Sequence, residues 1–248
     1  MELILIYLAI KYLGDFNQIY QALKDKEFVP IEYLHDIKDQ IEQGKIRAIT
    51  ILDDDYPEAL KLINNPPFVI FYEGNRKLLN QHAMLITGEF SSEAIEIFVK
   101  EAVTEIAHQY ALVTNHFKPL DDLIINSFLE QQKNVIVVLA TAIDKHQFQF
   151  QPSTYFNQLL ILSEFPSECG INRKRIAQRN RLSVGLSDAL IIVSSYRKSG
   201  IMNLVTHALD QGKDVYCYPG LQNENDGNNV LIQDGAQLIT SVKNVNIK

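Results

Sequence analysis

The chain has no tryptophan and only two cysteines in 248 residues. Cys169 and Cys217 are too few for a disulfide framework, and neither stands in a CxxC, so redox and structural-zinc motifs fall away. Long apolar runs are missing too. The longest, Leu3 to Ile10 with Tyr7 counted, spans eight residues, against the roughly 20 that a membrane helix needs. Glu2 stands where a signal peptide carries positive charge, and no small-residue cleavage site follows. The expectation is a reduced, cytoplasmic setting with no membrane insertion. Positive charge is also short: 23 Lys and Arg face 30 Asp and Glu, a net −7, which taken whole speaks against a nucleic-acid binder. The hydrophobic fraction of 46% supplies a real core and excludes wholesale disorder.

Catalytic patterns are equally scarce. Histidines 35, 82, 108, 116, 146 and 207 show no metal spacing with each other or with the cysteines. Ser183, Gly185 and Ser187 put the glycine in the wrong place for a GxSxG elbow, and no Walker sequence occurs. Asp53-Asp54-Asp55, beside Pro57, reads as a solvated turn rather than a cation site. Thr87-Gly88-Glu89-Phe90 has one glycine where a dinucleotide loop needs three. Glu89 and Glu93 there favour a helix N-terminus over an incoming phosphate. These residues assign no catalytic group, no metal and no cofactor.

What is present has two textures. Leu3, Ile6, Ile10 and Leu13, then Ile31, Leu34, Ile37 and Ile41, recur at helical spacing, so residues 1–52 read as a small helical domain. A proline-containing connector follows at 53–67 (Pro57, Pro66, Pro67). Residues 68–248 alternate short apolar runs with helical stretches. Strands are expected at 68–72, 83–87, 110–114, 135–139, 159–163, 189–194, 214–218 and 237–240, and helices at 91–109, 119–132, 178–186, 200–211 and 227–234. Runs that are apolar along their whole length suit strands buried on both faces. The fold class expected is α/β, a doubly wound, mostly parallel Rossmann-like sheet.

Charge is segregated along the chain. Between Ile171 and Lys213 stand eight basic residues (Arg173, Lys174, Arg175, Arg179, Arg181, Arg197, Lys198, Lys213) and two acidic ones, a net +6 that leaves −13 for the rest. Arg197-Lys198 follows the strand at 189–194, and Arg173 to Arg175 lie in the loop after 159–163; ligands of open α/β sheets bind beyond such carboxyl ends. Arg179 and Arg181 fall at the start of the helix expected at 178–186, where cations oppose the macrodipole unless an anion compensates. Ser199-Gly200 opens the next helix, with a cap hydroxyl and room for close approach. The residues fit a polyphosphate groove; they also fit a solvated basic face pairing with Glu164, Glu168 and the acidic remainder.

The same stretches resemble a known family. Tyr56-Pro57-x-x-Leu60-x-x-Ile63-x-x-Pro66-Pro67-x-x-x-Phe71-Tyr72-x-Gly74 is similar to the segment entering the Rossmann-like domain of the DNA-processing protein A (DprA, or Smf) family. Ser163-Glu164-Phe165-Pro166 resembles its SEYP, and Arg179-Asn180-Arg181 with Gly185-Leu186-Ser187 its RNR-x-x-x-GLS. Ser199-Gly200, Ala208 to Val215, Pro219-Gly220 and Gly227 to Ala236 follow in order, so the resemblance covers about 56–240. It implies a non-enzymatic protein of natural transformation. Such a protein binds and protects incoming single-stranded DNA, helps load the RecA recombinase, and works as a homodimer. By position, Arg179 and Arg181 would contact phosphates, Asn180 would support the turn, and Ser199 and Gly200 would line the groove. Lys118 stands at the basic residue of the family's SGxARGID segment and Gly88 at the glycine of its GSR loop.

The departures are specific. Glu89 and Phe90 replace the GSR serine and arginine, and Thr114 to Asp121 lacks both glycines of SGxARGID. Ile125 stands for an expected histidine, and Ile176-Ala177 for the Phe-Pro before RNR. The first phosphate-binding loop is degenerate, so binding is expected mainly from residues 173–200. Phe90 and Phe117 read either as core or as base-stacking groups. The winged helix that ends many members is not expected in a chain that stops soon after Ile239. The helix at 200–211 is apolar around much of its girth, so Met202, Val205 and Leu209, with Ile232, are candidates for a dimer seam, or for simple burial. Two other classes stand beside this reading. One is a Rossmann-like nucleotide-binding enzyme that cleaves glycosidic bonds, for which no carboxylate-bearing glycine-rich loop is present. The other is a protein-interaction module that has lost DNA binding.

Overall fold

A computed structural model describes residues 1–220 and 225–245. The helices α1 (Glu2–Lys11), α2 (Phe16–Lys24) and α3 (Ile31–Glu42) come first. Asp15 caps α2 by accepting from the Asn17 and Gln18 amides. Leu5, Leu8, Ile19 and Ile37 bury one face of this trio together with Val69 of the sheet.

Residues 48–50, read above as part of the helical segment, instead form strand β1 (Ala48–Thr50). Three residues are too few to display a period of two, and the pairing partner lies about twenty residues downstream: Ala48 opposes Phe71. In the connector the Asp53 carboxylate accepts from the Thr50 amide and hydroxyl, closing a turn. The Tyr56 hydroxyl donates to the Pro67 carbonyl at 2.8 Å across the single-turn helix α4 (Glu58–Lys61).

The remaining elements are β2 (Val69–Gly74), β3 (Ala83–Gly88), α5 (Glu93–Glu105), β4 (Ala111–Thr114), α6 (Pro119–Leu129), β5 (Val135–Leu139) and β6 (Leu159–Ser163). After them come α7 (Arg173–Gly185), β7 (Ala189–Ser194), α8 (Ile201–Asp210), β8 (Asp214–Cys217), α9 (Asn228–Gln233) and β9 (Gln237–Leu238). They make one sheet of order β1-β2-β6-β5-β4-β3-β7-β8-β9. From β6 to β9 every pairing is parallel; β2 runs antiparallel to both neighbours. The doubly wound expectation holds, and its reason is visible in β3. Ala83 and Leu85 point into one core with Val113, Leu182 and Leu204, while Met84 and Ile86 point into the other with Phe98, Ile124 and Phe128. Both faces are dry, so both phases of the pleat must be apolar. Among the described residues no helix is long and apolar enough to cross a membrane.

One boundary moves far enough to matter. Helix α7 begins at Arg173, five residues before the expected 178, because the Asn172 side chain accepts from the Arg175 amide at 2.9 Å and caps it there. Arg173, Lys174 and Arg175 therefore occupy the first turn rather than a loop. Arg179 lies at the middle of the helix and Arg181 beyond it, both away from the first turn, so the macrodipole argument made for them does not apply.

Candidate functional site

The strand order reverses between β3 and β7: β4, β5 and β6 extend to one side, β8 and β9 to the other. In such sheets the crevice beyond the carboxyl ends at the reversal is the natural ligand site. Three loops frame it here, residues 89–92 after β3, 115–118 after β4 and 195–200 after β7.

The first loop is stitched across the crevice. Glu89 donates its amide to the Ser194 carbonyl at 3.1 Å and to the Ser194 hydroxyl at 3.0 Å. The Phe90 amide also reaches that hydroxyl at 3.1 Å, and the hydroxyl in turn donates to the Phe90 carbonyl at 2.7 Å. Gly88 permits this closeness, since a Cβ there would meet Leu120 Cδ2 and Ser194 Oγ at 2.6 Å. The Glu89 carboxylate accepts from the Tyr196 amide at 2.9 Å and lies 3.4 Å from the Lys118 ammonium, with its side chain only 6% exposed.

The second loop is held by buried polar groups. Asp121, on the first turn of α6, accepts from the Phe117 amide at 2.8 Å and the Lys118 amide at 3.0 Å. Burial pushes its carboxyl up, against those two hydrogen bonds and Arg179. His116 has a left-handed backbone, with φ of 42°. Its Nε2 lies 2.6 Å from Asp122 Oδ1, its Nδ1 faces His146 Nε2, and its ring stacks on Phe148 with centroids 4.9 Å apart. Desolvation, then His116 and Arg179, lowers His146 to about 4. This bracing presents Phe117 at the surface, 47% exposed.

Arg179 lies under that ring. Its guanidinium is 5.7 Å from the Phe117 centroid, and it donates to the Asn115 carbonyl at 3.1 Å and the Asn180 side chain at 3.0 Å. It is 4% exposed, and desolvation lowers it to about 10 with Asp121 opposing. Asn180 passes the chain on to Asn203 of α8 at 2.8 Å. Arg181 is buried in an ion pair with Glu164 at 2.7 Å.

The sequence-derived site residues therefore separate into groups. Lys118, Arg197, Lys198, Ser199 and Gly200 gather on two of the loops, with Gly88 at the end of β3 beside them and Arg179 and Asn180 as a buried wall behind. Arg197, Lys198 and Gly200 are exposed, Lys118 and Ser199 half-buried. Lys174 instead pairs with Asp15, Arg175 donates to the Gly170 carbonyl above the Phe165 ring, and Arg173 is exposed. Lys213, counted in the basic window, donates to the Val184, Gly185 and Ser187 carbonyls and so closes the end of α7. Phe90 packs partly against the core, 5.1 Å from the Tyr196 ring. Met202, Val205 and Ile232 are half-buried against the core, whereas Leu209 is 67% exposed.

Sequence reasoning missed Asn115, Ser194 and Asn228. Asn115 accepts the Ser183 hydroxyl on its side chain, in addition to Arg179 on its carbonyl. Asn228, wholly buried, donates to the Ile192 and Tyr218 carbonyls and accepts from Ser195, tying the ends of β7 and β8 together. Their one signal is a polar residue at the end of an apolar strand, directly after one, or at a short helix start. Among the described residues no group of acidic, histidine and cysteine side chains is arranged to hold a metal ion.

Residues 47–248 match the family model for DNA recombination-mediator protein A. The DNA processing protein DprA of Streptococcus pneumoniae is 30% identical over 215 residues, covering 82% of this chain and 74% of its own length. An X-ray structure of that protein superposes with a TM-score of 0.73 at 25% identity over 96% of this chain and 90% of that one. The fold also matches DNA processing protein A of Helicobacter pylori, described with a single-stranded DNA binding mode, at a TM-score of 0.70 and 24% identity over 80% of this chain and 93% of that one.

Proposed function

This chain belongs to the DNA recombination-mediator protein A family, and from that premise we propose that it binds single-stranded DNA along the carboxyl edge of the β3–β7 crevice, without catalysing a reaction on it. The observation that carries the proposal is the juxtaposition there of exposed Arg197 and Lys198 with exposed Phe117 and Tyr196. Cations neutralise the phosphates, and aromatic faces accept bases of any identity, the combination that sequence-tolerant strand binding requires. The single-stranded DNA binding mode described for the Helicobacter pylori protein supports the same chemistry.

In this reading Arg197 and Lys198 meet phosphates directly, and Arg173 extends the basic track at the start of α7. Ser199 and Gly200 let the strand approach the α8 terminus. Arg179, Asn180 and Arg181 act from inside: Arg179 supports Phe117 and pins the 115–118 loop, while Arg181 neutralises Glu164. The biological role is that of a cytoplasmic mediator of natural transformation that protects incoming DNA and helps load RecA. Leu209, with the neighbouring Met202, Val205 and Ile232, supplies the seam of a homodimer. A shift assay with labelled oligothymidine over a salt series tests the binding. Arg197→Ala and Lys198→Ala should each weaken binding and flatten the slope of log affinity against log salt by about 0.7, the value of one phosphate contact to a single strand. Unchanged slopes in both would move the site elsewhere.

A further inference from the structure

The crevice already contains an anion. The two amides that an open switch point would offer, those of Glu89 and Phe90, are consumed by Ser194. The third polar feature, the Tyr196 amide, is taken by the Glu89 carboxylate at 2.9 Å, whose other oxygen faces the Lys118 ammonium at 3.4 Å. One backbone N–H and one ammonium are what a phosphate oxygen receives in an anion site. Here a side chain of the protein receives both, and it is nearly sealed from solvent while Lys118 remains 39% exposed. The Lys118 cation is thus visible to an incoming strand but already neutralised from within.

Resting on the single-stranded DNA reading above, we infer that Glu89 is an intramolecular competitor for phosphate: it holds Lys118 out of the binding track, and the strand gains that contact only when the carboxylate is displaced. Tyr196 links the two states. Its amide bonds Glu89, its exposed ring leans on Phe90, and it immediately precedes Arg197 and Lys198. Displacing Glu89 therefore frees a donor on the same loop that carries the exposed cations.

The test is a double-mutant cycle read by salt dependence, a quantity that a merely structural role for Glu89 would not move. Labelled oligothymidine is titrated with the wild-type chain, Glu89→Gln, Lys118→Ala and the double variant across a salt series. Glu89→Gln keeps an acceptor for the Tyr196 amide and removes the charge. It should bind roughly tenfold more tightly at low salt, the worth of one charge-assisted hydrogen bond, with a slope steeper by about 0.7. Lys118→Ala alone should leave the wild-type slope unchanged, and in the double variant it should cancel the gain of Glu89→Gln. Wild-type binding with no gain in Glu89→Gln, or a flattened slope in Lys118→Ala alone, overturns the competitor. Absence of binding by every protein at low salt overturns the DNA reading as well, so the two failures are distinguishable.

Discussion

Arg181→Met should destabilise the fold by about 3–5 kcal/mol, the cost of leaving one member of a buried ion pair without its partner. The pair is well shielded, with side-chain exposures of 8% for Arg181 and 5% for Glu164 and a separation of 2.7 Å. Glu164 Oε2 has no hydrogen-bond partner, so no other group among the described residues stands ready to replace the guanidinium. In a chain of 248 residues that loss corresponds to a Tm lower by roughly 6–20 °C. The deficit also has a pH signature. Burial already pushes the Glu164 carboxyl up, with Arg181 opposing, and removing Arg181 raises it further. A carboxyl whose folded pKa exceeds its unfolded value of about 4.3 costs stability as pH rises from the unfolded value through the folded one. The variant should therefore approach wild type near pH 4 and fall away toward neutrality. Urea unfolding at several pH values measures both effects. Arg181→Met with Glu164→Leu, which removes both charges, should recover most of the loss. A single variant within about 1 kcal/mol of wild type at pH 7, or a deficit independent of pH, would refute the reasoning. The double variant also settles the role of Arg181: if it is folded and still binds DNA, Arg181 is structural.

Other expectations follow from the same contacts. Gly88→Ala places a Cβ 2.6 Å from Leu120 and Ser194, so its urea midpoint should drop by an amount equivalent to about 1–3 kcal/mol; a neutral outcome would mean the crevice floor is looser than its geometry. Since burial, then His116 and Arg179, lower His146 to about 4, the unfolded chain binds a proton there first. Stability should decline as pH falls from about 6.5 toward 4, and His146→Asn should lessen the decline in melting temperature. Lys213→Met takes the charged donor from three carbonyls at the end of α7, of which Val184 keeps its bonds from the Ser187 amide and hydroxyl, and should cost about 2–3 kcal/mol without altering the salt slope of DNA binding.

Much of the α/β part was legible because its strands are buried on both faces. The runs at 135–139, 159–163 and 189–194 coincide with β5, β6 and β7 residue for residue, since no helical period interrupts them. β1 was not legible, because a three-residue strand carries no pattern and exists only through its pairing with β2. The start of α7 was missed because a basic, weakly amphipathic first turn hides a helix that Asn172 caps. In the candidate site, Gly88 at the end of β3 and the loops bearing Lys118, Arg197 and Lys198 were legible as a group in the sequence, but not what each charge faces.

Composition and order by themselves determined the class of fold, the family resemblance and the segregation of a +6 stretch from a −13 remainder. Those properties depend on side-chain type and local spacing. Which of those cations are available was decided only by tertiary structure. Arg181 is spent on Glu164, Lys213 on the end of α7 and Lys174 on Asp15, while Arg197 and Lys198 are exposed at the surface and form no ion pair among the described residues. The physical reason is that a charge acts through its distance to other charges and through its exposure to water, and both are set by contacts between residues that lie far apart in the chain.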